Sequence, residues 1–69
     1  MYELTVDYDA PGIGHTYWLF TPGDGAKAFG AFFDQVTAFM RFDRVHIKLV
    51  RGKDIIAEYK INSHVQTNN

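Results

Sequence analysis

Ala26-Lys27-Ala28-Phe29-Gly30-Ala31-Phe32-Phe33-Asp34-Gln35-Val36-Thr37-Ala38-Phe39-Met40-Arg41-Phe42 decides the fold of this chain. Phe29, Phe32, Phe33, Val36, Phe39 and Met40 stand at offsets of 0, 3, 4, 7, 10 and 11. That spacing brings side chains onto one side of an α-helix. The stripe takes four of the six phenylalanines, so a helix near residues 25–41 is predicted to bury this face as the main part of a core. Thr21-Pro22-Gly23-Asp24-Gly25 precedes it as a turn, with Asp24 in the N-cap position. Gly30 weakens the helix by ~1 kcal/mol relative to alanine, and its bare backbone would let a strand or a partner come close.

The flanking segments read as strands. Residues 2–8 alternate, Tyr2, Leu4, Val6 and Tyr8 on one side and Glu3, Thr5 and Asp7 on the other, as a half-buried strand does. Asp9-Ala10-Pro11-Gly12-Ile13-Gly14 is a loop. The second strand, over residues 15–21, breaks the alternation: Tyr17 and Leu19 point one way, Trp18 and Phe20 the other, and both faces are apolar. Two more strands follow over residues 44–50 and 55–61. Val45, Ile47 and Leu49 form one apolar face and Ile55, Ala57, Tyr59 and Ile61 its counterpart.

Parity sets the register of this last pair. Both apolar sets share a face when Val45 meets Ile61 and Ile47 meets Tyr59, which calls for a three-residue loop, Gly52-Lys53-Asp54 or Arg51-Gly52-Lys53. The commoner two-residue Gly52-Lys53 turn would set odd positions against even ones and mix the faces.

The elements predict a single α+β domain over residues 1–61, ββαββ, with one helix packed on one face of a four-stranded antiparallel sheet. Residues 62–69 form a polar tail expected to be disordered. Short connections at both helix ends make strands 2 and 3 run in the same direction. An all-antiparallel sheet then has order 1-2-4-3 or 2-1-3-4. Strand 2, apolar on both faces, reads as the more central of the first two, which favours 1-2-4-3.

Composition bounds the function. At 69 residues, 46% hydrophobic and 22% charged, the chain is one globular domain. With no cysteine it has neither disulfides nor thiolate ligands, and association with another chain is the expected source of added stability. The first residues carry no signal-peptide pattern and no stretch has the length of a membrane span, so a cytoplasmic protein without membrane contact is expected. A net charge of −1 argues against a generic nucleic-acid binder. Residues 1–40 hold one lysine against five acids, while residues 41–69 hold six basic residues against three acids. An acidic first half and a basic C-terminal hairpin follow.

Motifs with chemistry fare poorly. Gly23-Asp24-Gly25-Ala26-Lys27-Ala28 fits G-x-G-x-x-A between a strand and a helix, but the chain is short for a doubly wound sheet and Asp24 would sit against the phosphates. Asp7-Tyr8-Asp9-Ala10-Pro11-Gly12 starts like a calcium loop and lacks the glutamate at its twelfth position, which is Trp18. His15, His46 and His64 have no ligand spacing, and the only serine is Ser63. No catalytic residue, cofactor or metal is therefore expected.

The open sheet face carries what signal remains. Glu3, Thr5, Asp7, Arg44, His46, Lys48, Ile56, Glu58 and Lys60 belong there by alternation, joined by Trp18 and Phe20 if Tyr17 and Leu19 face the helix. The expected function is a non-enzymatic protein–protein interaction module, an inhibitor or adaptor that binds a protein of unknown identity, or a second copy of itself. Its contact surface would be the open face and an edge strand, with Trp18, Phe20, Arg44, His46, Lys48, Arg51 and Lys53 as contact residues. Phage-encoded anti-defence proteins such as anti-CRISPRs are commonly of this size and style. The alternative is a single-stranded nucleic-acid binder that stacks bases on Trp18 and Phe20 beside Arg44, Lys48, Arg51 and Lys53.

Overall fold

The computed structural model describes residues 1–10 and 13–62; the expected tail lies, beyond Asn62, outside the described residues. Strand β1 (Tyr2–Ala10) and strand β2 (Gly14–Phe20) are followed by a single turn of 3-10 helix at Pro22–Asp24, helix α1 (Gly25–Phe39), strand β3 (Arg44–Arg51) and strand β4 (Asp54–Asn62). The sheet is antiparallel throughout and α1 packs on one of its faces, so the ββαββ α+β fold expected from the patterning is the one observed.

The strand order is β2-β1-β3-β4, which corrects the preference for 1-2-4-3. The central strands are the two with the cleanest alternation: Leu4 and Val6 of β1 and Val45, Ile47 and Leu49 of β3 are buried. In a two-layer fold only one face of each strand is covered, so a central strand needs one apolar face and one polar one. Apolarity on both faces was a misleading mark of centrality, and β2 is an edge. Strands β2 and β3 run parallel with β1 between them. The adjacent parallel pair that a dinucleotide-binding unit needs is absent among the described residues.

The β3–β4 hairpin satisfies both arguments about its register by a third route. Val45 pairs with Ile61, Ile47 with Tyr59 and Leu49 with Ala57, as parity demands, yet Arg51 pairs with Asp54 across a two-residue Gly52-Lys53 turn. The register shifts between Leu49 and Val50: Val50 pairs with Ile55 and Ile56 is left over as a β-bulge. The expected three-residue loop is thus replaced by a tight turn plus one bulged residue. Gly52 has φ of 63°, and among the described residues no residue other than glycine takes positive φ, the signature of a turn with glycine at its first central position.

Only part of the predicted helical stripe is buried. The line resting on the sheet is Ala28 and Phe32, continued by the half-buried Val36 and Phe39. Phe33 is 61% and Met40 59% exposed, and Phe29 is also on the exposed side, which corrects the assignment of all six stripe residues to the core. The stripe is wider than the ridge between β1 and β3 that α1 covers. A fully buried alanine at position 28 lets the first turns approach the strands closely. At the far end, the Phe39 and Phe42 rings lie 5.0 and 5.1 Å from that of Tyr8. Asp24 occupies the N-cap position without a cap bond to the backbone; its carboxylate accepts a 3.1 Å bond from the Thr21 hydroxyl instead. A β-carbon at Gly30 would meet nothing within 4 Å, so no strand uses the close approach it offers.

Candidate functional site

The edge strand β2 is the unusual surface of this molecule. Its pairing with β1 runs without a break from Tyr2↔Phe20 to Tyr8↔Gly14. Every second residue of β2 therefore directs its N–H and C=O away from the sheet. Edge strands are ordinarily blunted by lysine, proline, inward charge or a bulge. Gly14-His15-Thr16-Tyr17-Trp18-Leu19-Phe20 has none of these, and Tyr17, Trp18 and Leu19 are 55%, 38% and 56% exposed. The opposite edge, β4, carries Asp54, Glu58 and Lys60 as well as the Ile56 bulge. One edge is guarded and the other is not.

Register places the β2 side chains on their faces. Leu4 pairs with Trp18 and Tyr2 with Phe20, whereas Thr5 pairs with Tyr17 and Glu3 with Leu19. Directly opposed residues of an antiparallel pair share a face, so Trp18 and Phe20 lie on the helix side and Tyr17 and Leu19 on the open side. Trp18 and Phe20, expected on the open face if Tyr17 and Leu19 faced the helix, are therefore not part of it, which corrects their grouping with Arg44, His46 and Lys48 as one contact surface. Sequence reasoning did not place Tyr17 and Leu19 on this face: with the loop read as residues 9–14, an even number, parity could not set Trp18 beside Leu4, whereas the observed register, Tyr8 against Gly14, does.

The open face is a mosaic of charge. Across the four strands one row reads His15, Asp7, His46, Lys60 and the next Tyr17, Thr5, Lys48, Glu58. His15 donates through Nδ1 to Asp7, and His46 donates through Nε2 to Glu58 at 2.5 Å. Arg44 Nε lies 3.0 Å from Asp9 Oδ1, close enough for charge attraction, although the geometry is not that of a hydrogen bond. Acidic β1 thus divides the basic residues of β3 from the aromatic edge.

The seven contact residues expected from sequence do not form one surface. Arg44, His46 and Lys48 share the open face; Trp18 and Phe20 are on the other side of the sheet. Lys53 is in the turn, and Arg51 pairs with Tyr2, its guanidinium 5.8 Å from the centre of that ring on the helix side. A base-stacking site needs aromatic and basic groups together, and here the sheet separates them.

At the β1–β2 hairpin end a groove of about 440 Å³ opens beside Asp7, His15, His46 and Ile13. A carboxylate-bound histidine resembles half of a general-base pair, but among the described residues neither histidine hydrogen-bonds a hydroxyl that could serve as nucleophile. No three metal-ligating side chains converge among the described residues, and among them no helix is long and apolar enough to cross a membrane. Compared with known proteins, the chain matches no protein family, no curated protein and no solved structure.

Proposed function

We propose that the chain is a non-enzymatic protein–protein interaction module, an inhibitor or adaptor whose contact surface is the β2 edge and the open sheet face beside it. The observation that carries this reading is an unguarded edge strand, apolar on both faces, whose Tyr17, Trp18 and Leu19 remain exposed. Three consecutive exposed large hydrophobics, Tyr17, Trp18 and Leu19, along an unguarded edge have the make-up of a contact site. Tyr17 and Leu19 would be the apolar anchors on the open side, Trp18 and Phe20 those on the helix side, and Arg44, His46 and Lys48 a polar rim. In this reading it acts in the cytoplasm, where a chain without cysteine depends on no oxidising conditions.

Capture of binding proteins from the source cell with a tagged chain tests the reading. Leu19→Lys places a charge on the exposed side of β2 without touching the core, and should lose whatever the parent retains. Lys60→Glu, on the guarded edge, should keep it. Capture should survive moderate salt, because a nucleic-acid complex would weaken steeply as phosphate contacts are screened. Equal capture by parent and Leu19→Lys would sink the proposal.

A further inference from the structure

Resting on that reading, we infer that the occupant of the β2 edge is a second copy of this chain, paired antiparallel through β2 about a two-fold axis at Tyr17. An isologous pairing sets each residue of the strand against its mirror position. With Tyr17 at the centre of the seven-residue strand, Thr16 meets Trp18, His15 meets Leu19 and Gly14 meets Phe20 of the second copy. On the helix side this is small against large throughout, Thr16 against Trp18 and Gly14 against Phe20. On the open side Tyr17 meets itself, flanked by two His15–Leu19 pairs.

The Gly14 position is already shaped for this. A β-carbon there would lie 2.2 Å from Tyr8 Cζ, so the Tyr8 ring spans the glycine. Phe20 of the second copy would pack on that aromatic surface.

Charge points the same way. Strand β2 contains no Asp, Glu, Lys or Arg, so self-pairing opposes no like charges. The same operation on β4, centred on the nine-residue strand, would set Glu58 against Glu58 and would meet the Ile56 bulge. Like charges directly opposed are destabilising. Pairing β2 of one copy with β4 of another would generate an open-ended filament, and the charged, bulged β4 edge disfavours that route. The product of β2 self-pairing is closed: an eight-stranded sheet with both helices on one face and guarded β4 edges at its ends. The two helices would be about four strand spacings, ~19 Å, apart, leaving a trough floored by Trp18 and Phe20 of both copies.

Sedimentation equilibrium over a concentration series, with emission from the single tryptophan Trp18, tests the pairing. The parent should show a two-chain mass and a blue shift of Trp18 emission as the dimer forms. Tyr17→Lys and Tyr17→Glu, each with parental far-UV dichroism, should be monomers on their own, and an equimolar mixture should recover the dimer because opposite charges then meet on the axis. A parent that remains monomeric at millimolar concentration, one that grows into longer polymers, or a dimer that survives both single variants would overturn the inference. A monomeric parent that still captures another protein through Leu19 would remove the second copy and leave the interaction reading standing. A monomer that captures nothing would remove both.

Discussion

The Tyr8 ring occupies the place where residue 14 would carry a β-carbon. The two residues are register partners at the end of β1 and β2, and a β-carbon on Gly14 would fall 2.2 Å from Cζ and 2.3 Å from the hydroxyl oxygen of Tyr8. The ring is held from the helix side by Phe39 and Phe42, whose own rings are 4.8 Å apart. Gly14→Ala therefore has to dislodge an aromatic cluster that closes one end of the core. A cost of about 1–3 kcal/mol is expected, as for other overpacked sites. Chemical denaturation would measure it, with a change in near-UV dichroism from the displaced tyrosine. An unchanged midpoint would mean that the ring has room to turn away.

Gly30→Ala should do the reverse. The position is exposed, mid-helix and meets nothing within 4 Å, so only the backbone entropy of glycine is at stake. A gain of about 0.5–1 kcal/mol is expected, read as a higher denaturation midpoint with an unchanged slope. Destabilisation would reveal a contact at Gly30 in the assembled protein.

Phe32 and Phe33 are neighbours in sequence with ring centres 5.5 Å apart, yet they should respond very differently. Phe32 is buried among Leu4, Val6, Ile47 and Leu49, and Phe32→Ala should cost about 3–5 kcal/mol, enough to unfold a domain of marginal stability. Phe33→Gln, on the exposed side of α1, should change stability by no more than about 0.5 kcal/mol. Equal losses at the two positions would show that α1 is rotated about its axis, with Phe33 turned toward the sheet as well.

Deleting Ile56 should leave a folded protein with a regular hairpin. The two-residue turn and an unbroken ladder then keep Leu49 opposite Ala57 with both on the helix side, because the bulge alone reconciles the turn with the faces. Cross-strand nuclear Overhauser effects between Leu49 and Ala57 would persist. Loss of the fold would mean that the bend supplied by the bulge is itself required. In the same hairpin Gly52→Ala should cost about 1–2 kcal/mol, since φ of 63° places a β-carbon against the following carbonyl.

The ion pairs of the open face should contribute little. His15 and Asp7 are both more than half exposed, and exposed pairs are typically worth about 0–1 kcal/mol. Asp7→Asn should therefore leave the denaturation midpoint nearly unchanged. A large loss would show that the row through Asp7 and His46 is shielded from water, as a partner on that face would make it.

Among the described residues, local pattern located the α-helix and the four strands of this protein. The 3.6-residue period from Phe29 to Met40 requires a helix, the alternation of residues 2–8 and 45–49 requires strands with one buried face, and the matching parity of Val45 and Ile61 sets the β3–β4 register. Periodicity could do this because each of those properties depends on side-chain spacing along one or two adjoining segments. Tertiary structure alone decided which strands are central, which part of the helical stripe is covered, and on which face of the sheet Trp18 lies. Those depend on where one helix settles over four strands, and its footprint is narrower than the apolar surface the chain carries. The surplus, Tyr17, Trp18 and Leu19 on β2, Phe33 on α1 and Met40 at its C-cap, has the composition of a core and the position of a surface. No count along the chain distinguishes the two, because burial is a property of the packed layers.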